Sequence, residues 1–172
     1  MSTARFNVLI ANRQRTKKID VRRLKQTTVA LLTETKVPFA ELGINLVTAD
    51  EMARVNQAFL NHEGPTDIIT FNHLNHEQAD GKIQAGLHGE LFICIDEAVR
   101  QARQFRTTWR AELVRYVIHG VLHLLGHDDL KPDLRRKMKH EENRLLRLLA
   151  KFIPDGPGKP PVKKFPLARP AR

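Results

Sequence analysis

The chain has 172 residues, 41% of them apolar, which suffices for one substantial core and excludes fibrous and disordered classes. Twenty-nine Lys and Arg against nineteen Asp and Glu give a formal net charge of +10, which favours a polyanionic partner, nucleic acid or an anionic membrane surface. A single cysteine, Cys94, excludes an intrachain disulfide and a thiolate-rich zinc knuckle, and no run approaches the roughly 20 apolar residues of a membrane span.

Residues 6–11 (FNVLIA) read as a short apolar strand, and residues 1–12 lack the basic leader and apolar stretch of a secretory signal. Asp20 can cap a helix whose apolar positions Val21, Leu24, Thr28, Leu31 and Leu32 follow helical spacing. Residues 44–47 form a second strand. Thr48-Ala49-Asp50-Glu51 is a capping box that opens a helix through Leu60. The β-branched residues 66–71 (TDIITF) predict a third strand and 87–95 a fourth, with a polar loop or hairpin at 72–86 between them. Cys94 falls in this fourth apolar run, where a thiol acts as a small buried hydrophobe. A helix follows over 96–105.

The most apolar helix spans 108–125 and stops at Gly126. Pro132 suits the first turn of a last helix running to Phe152, with Leu134, Met138, Leu145, Leu146, Leu148 and Leu149 on its apolar face. Residues 154–172 hold six of the nine prolines and a charge of +4, and read as a flexible basic tail that leaves +6 on residues 1–153. The expectation is an α+β fold: one domain, a four-stranded mixed sheet and five helices. A reducing, cytoplasmic setting fits.

The chemistry concentrates at the end of the apolar helix, in His119-Gly-Val-Leu-His123-Leu-Leu-Gly126-His127-Asp128-Asp129. His119 and His123 are i and i+4, so both imidazoles leave one face of the helix and can share a metal. Such a pair alone also fits two satisfied core histidines. Here, however, it lies among Val114, Val117, Ile118, Val121, Leu122, Leu124 and Leu125. Burying an unsatisfied imidazole in such a helix costs roughly 1–3 kcal/mol. Gly126 turns the chain back, so His127, Asp128 or Asp129 can supply a third ligand. Two His and a carboxylate leave a position open for water, the layout of a catalytic metal site. The zinc-protease motif is absent, because Gly120 stands where HExxH needs Glu.

This segment resembles the pattern H-G-x-L-H-L-x-G-(Y/H)-D-H of the YbeY family, metal-dependent endoribonucleases and rRNA maturation factors. The match covers His119, Gly120, Leu122, His123, Leu124, Gly126, His127 and Asp128. Residues 65–71 (PTDIITF), preceded by Leu60-Asn61, are similar to the family's PTDVLSF strand, and residues 89–94 (GELFIC) to its GDIxIC strand. Met138 and Glu142 fall where its last helix carries Met and Glu. The resemblance spans residues 5–150. It implies a divalent ion, zinc foremost, held by His119, His123 and Asp129, with Asp128 bracing the turn or a ligand. His127 stands where the family also has Tyr, which argues against its imidazole as a ligand. The resemblance further implies RNA as substrate, rRNA processing, and contact with the small ribosomal subunit.

Two departures from the pattern are visible. Asp129 replaces the family's third His, which shifts metal preference somewhat from zinc toward manganese or iron. Only His62-Glu63-Gly64 separates Asn61 from Pro65, so a longer family stretch carrying an Arg has no counterpart. Arg13, Arg15, Lys17, Lys18, Arg22 and Arg23 are the candidate phosphate contacts. Two other functions fit the same residues: a ribosome-assembly RNA-binding factor with a structural metal and no turnover, and a metal-dependent hydrolase of another substrate.

Overall fold

In a computed structural model that describes residues 5–74 and 86–154, the elements run β1 (Arg5–Asn12), α1 (Val21–Glu34), β2 (Phe39–Val47), α2 (Ala49–Leu60), β3 (Ile68–Asn72) and β4 (Leu87–Cys94). Then follow α3 (Ile95–Phe105), α4 (Trp109–Leu124), α5 (Pro132–Leu148) and a 3-10 turn at Ala150–Phe152. The sheet has the order β1-β2-β4-β3, with β1, β2 and β4 parallel and β3 antiparallel on the edge. This is the single α+β domain with a mixed four-stranded sheet that the sequence predicts.

Register places Ile10, Ile44 and Leu91 in one row across the sheet, and Leu46, Ile93 and Ile68 in another. Because side chains alternate along a strand, these rows share one face. Leu24, Leu31 and Leu32 of α1 and Val117, Ile118 and Val121 of α4 join them in the main core. On the opposite face Met52 of α2 covers Val47, Ile69 and Cys94. The expected caps form: Asp20 accepts from Arg23 N at 2.9 Å, and Thr48 from Glu51 N at 3.3 Å. The return half of the capping box does not form, because Glu51 turns to Arg13 at 2.8 Å.

Helix α4 is buried on every side, thirteen of its sixteen residues among them, which explains its nearly uninterrupted apolar sequence. Its fit against the sheet depends on two glycines. A Cβ on Gly120 would lie 2.5 Å from Leu91 Cδ2, and one on Gly89 would lie 2.6 Å from the Phe71 carbonyl oxygen and 2.7 Å from Leu124 Cδ2. Gly120 therefore sits over Leu91, and Leu124 over Gly89, so α4 runs antiparallel to β4. The last turn of α4 emerges beside the start of that strand.

Three boundaries differ from the expectation by more than one residue. Strand β2 begins at Phe39, because pairing with β1 and β4 on both sides carries it through Glu41 and Gly43, which break the apolar run. Strand β3 begins at Ile68, after Asp67 has turned its carboxylate onto Ile68 N at 2.9 Å. Helix α5 ends at Leu148, which is exposed rather than part of the apolar face. Residues 75–85 and 155–172, where most of the expected polar loop and basic tail fall, lie outside the described residues.

Candidate metal centre

The end of α4 is built by its own backbone. Gly126 takes φ +89°, a conformation that favours glycine, and nothing lies within 4 Å of where its Cβ would be. Its N–H bonds the His123 carbonyl at 2.9 Å, and the His127 N–H bonds the Leu122 carbonyl at 3.0 Å, the two bonds of a Schellman motif. The reversal points the His127 carbonyl back at the helix, where it accepts from His123 Nδ1 at 3.0 Å. The turn that ends the helix thus also orients an imidazole.

His119 is fixed from the neighbouring helix. Its Nδ1 donates to Glu142 Oε1 of α5 at 2.5 Å. Since a carbonyl and a carboxylate only accept, both rings carry a proton on Nδ1, and in the neutral imidazoles both Nε2 atoms then present lone pairs. These Nε2 atoms lie 2.9 Å apart, and Asp129 Oδ1 lies 4.0 Å from that of His123. One ligand atom from each of His119, His123 and Asp129 falls within 4.8 Å of the others. The Asp129 carboxylate is buried and accepts no hydrogen bond from a described residue. Two imidazole nitrogens and a buried, unbonded carboxylate converge, with no donor from another described residue between them. That donor set fits a divalent cation with nitrogen and oxygen ligands.

A polar stripe supports the pair. Glu112, Arg115, His119 and His123 recur at helical spacing along α4, and Arg115 and His119 reach α5. Arg115 lies 3.8 Å from Glu112 and 3.9 Å from Glu142, and donates to Asn143 Oδ1 at 3.1 Å. Glu112 accepts from Thr107 Oγ1 at 2.5 Å. Burial pushes the Glu142 pKa up, but His119, Lys139 and Arg115 outweigh it and hold the carboxyl below its ordinary range. Glu142 is thus an ionised acceptor for the His119 N–H. Burial, reinforced by His119, lowers the pKa of His123, so its ring stays neutral and its Nε2 available.

The predicted site residues divide into two groups. His119, His123 and Asp129 come together, and the His127 imidazole takes no part, since that residue acts through its carbonyl. Asp128 braces the loop by accepting from Leu130 N at 2.9 Å, while Arg135 Nε bonds the Asp129 carbonyl at 3.0 Å. Arg13, Arg15, Lys17, Lys18, Arg22 and Arg23 lie elsewhere. Arg13 N bonds the Leu46 carbonyl at the end of β2, and Asp20 and Arg23 share an apolar cleft with Trp109 and Arg110 at the start of α4. The length of α4 separates that cleft from His123, roughly 20 Å. Glu142 is the member that sequence reasoning left without a role. The available signal was a carboxylate inside the apolar stripe of Met138, Leu145, Leu146 and Leu149, where a solvated charge has no place.

Comparison with known proteins gives the family. The family described as Endoribonuclease YbeY matches residues 9–150. The Endoribonuclease YbeY of Syntrophotalea carbinolica is 33% identical over 147 residues, 84% of this chain and 97% of that protein. That of Frankia alni is 33% identical over 161 residues, 90% and 89% of the two chains. That of Chlorobium phaeovibrioides is 40% identical over 98 residues, 57% and 61%. The solution structure of a Thermotoga maritima protein shares the fold, with a TM-score of 0.62 and 22% identity over 95% of this chain and all of that one. The histidine pair, its turn and the strands beneath it lie within the matched span, and the chain belongs to the endoribonuclease YbeY family.

Proposed function

We propose that this chain is a metal-dependent endoribonuclease that cleaves single-stranded RNA in rRNA maturation and ribosome quality control, in the cytoplasm and on the small ribosomal subunit. His119, His123 and Asp129 would hold one divalent ion, with Zn2+ the first choice for two imidazoles and a carboxylate. Such an ion, when bound, supplies Lewis acidity toward a phosphate oxygen and makes water acidic enough to act near neutral pH. The single observation that carries this reading is the pair of bare Nε2 atoms 2.9 Å apart beside a buried carboxylate, in a chain of an endoribonuclease family.

The chain's own residues divide the remaining work. Glu142 and the His127 carbonyl fix the two rings in the tautomer that leaves Nε2 free. Three protein ligands leave a coordination position for water or a phosphate oxygen. Gly120 has no proton to exchange, so α4 offers no general base at the position a zinc protease uses. Asp128 holds the loop that delivers Asp129. Arg13, Arg15, Lys17, Lys18, Arg22 and Arg23 engage RNA phosphates remote from the scissile bond and act in binding rather than chemistry.

The test compares one pure protein on single-stranded RNA, a duplex of the same sequence, and peptide and ester substrates. Turnover of the single strand alone, lost to a chelator and restored by metal, is the expected result. Metal binding without turnover would favour an assembly factor. Peptide or ester hydrolysis would favour another hydrolase.

A further inference from the structure

Asp129 contributes its backbone as well as its carboxylate to this region, and the group that reads the backbone is Arg135. Its Nε donates to the Asp129 carbonyl at 3.0 Å, a normal N–H···O length. That bond uses one of the five N–H donors of a guanidinium. The two terminal amino groups make no hydrogen bond or ion pair with a described residue, and the side chain is exposed. The neighbouring arginines of α5 differ. Arg136 is closed on Asp133, and Arg144 on Glu141 by two bonds of 2.8 and 2.6 Å. Lys139 stands four residues after Arg135, the spacing of one helix face, and Lys131 is the N-cap residue of the same helix. Lys139 Nζ lies 3.5 Å from Glu142 Oε2, so this basic ridge reaches the carboxylate that braces His119.

We propose that Arg135 is the phosphate-binding residue of the centre: its terminal amino groups grip the non-bridging oxygens of an RNA phosphodiester beside the candidate ligands, with Lys131 and Lys139 extending the track along α5. This rests on the reading of the site as an RNA-cleaving centre. A planar guanidinium already fixed at Nε is pre-organised for two parallel bonds to a phosphate. A lysine at the same place supplies a point charge without the fork. Arg23, in the cleft at the far end of α4, cannot substitute, because the length of that helix puts it roughly 20 Å away.

The test uses the full-length wild type, Arg135→Gln, Arg135→Lys and the charge-matched control Arg136→Gln. Three readouts are taken: affinity of the metal-free protein for single-stranded RNA by fluorescence anisotropy, kcat/KM of the metal-loaded protein, and metal affinity by chelator competition. Arg135→Gln should weaken RNA affinity and kcat/KM at least about tenfold, as expected for charge-assisted hydrogen bonds, with metal affinity and Tm unchanged. Arg135→Lys should recover part of the loss, and Arg136→Gln should match the wild type. Equal RNA losses in Arg135→Gln and Arg136→Gln would overturn the proposal. So would an Arg135→Gln protein that loses metal but keeps its metal-free RNA affinity, since Arg135 would then only brace the loop. A wild type that cleaves no RNA would defeat the ribonuclease reading separately, and the metal-free affinities would still decide the role of Arg135.

Discussion

Glu142 shows how much one buried carboxylate does. It is 2% exposed, accepts from His119, and is held by Arg115 and Lys139. Groups that orient a metal-binding imidazole typically contribute 10- to 100-fold to metal affinity. Glu142→Gln should therefore weaken metal binding by about that factor, measured by competition with a chromophoric chelator. Its folded pKa lies below the ordinary value, with burial opposing His119, Lys139 and Arg115, so its contribution to stability is present above the carboxylate range. That contribution is lost as pH falls through the depressed folded value. The urea midpoints of wild type and Glu142→Gln should accordingly converge in acid. Asp129→Ala should abolish metal binding, whereas His127→Ala should preserve it, because only the backbone of His127 is used. Equilibrium dialysis decides between them, and the reverse pattern would reassign the third ligand. Asp129→His should bind metal and move the activity profile to lower pH, since a neutral ligand leaves the site more positive.

At the scale of elements, the histidine helix was legible because i, i+4 spacing, an apolar run and a terminal glycine are local signals. The caps at Asp20 and Thr48 were legible for the same reason. The first half of β2 was not, since Glu41 and Gly43 interrupt its apolar run and only the strands on either side hold it straight. The candidate ligands could be read from residues within one turn of each other. The brace on His119 could not, because Glu142 arrives from α5: a carboxylate inside that helix's apolar stripe is anomalous, but nothing local pairs it with His119. The Schellman turn joins these levels, for the residue that ends the helix also aims the carbonyl that holds His123. Gly126→Ala places a side chain at φ +89° with no steric clash, so its cost is backbone strain alone, about 1–2 kcal/mol. Urea denaturation should show a loss of stability of that size, and metal binding should weaken too. Unchanged metal affinity would separate the turn from the ligand.

The whole molecule has two poles. One end of α4 carries the candidate ligands and the α5 ridge. The other carries Arg23, in its cleft with Trp109 and Arg110, at a distance from the centre that is a property of the fold and that no local signal encodes. A combined Arg15→Gln, Arg22→Gln, Arg23→Gln protein should bind single-stranded RNA less tightly. Its log–log salt slope should be shallower by about 0.7 for each phosphate no longer neutralised, with KM raised and kcat little changed. A fall in kcat with constant KM would place these residues nearer the chemistry than the fold does. If His119, His123 and Asp129 form one metal site on which RNA cleavage depends, a single titration reveals it. Metal-stripped protein is titrated with Zn2+ while bound metal and cleavage of a single-stranded RNA are followed together. Both signals should rise in parallel and saturate at one equivalent per chain, and both should vanish in Asp129→Ala. Full cleavage by the stripped protein, or saturation of metal binding with no cleavage, would show that cleavage does not depend on this site.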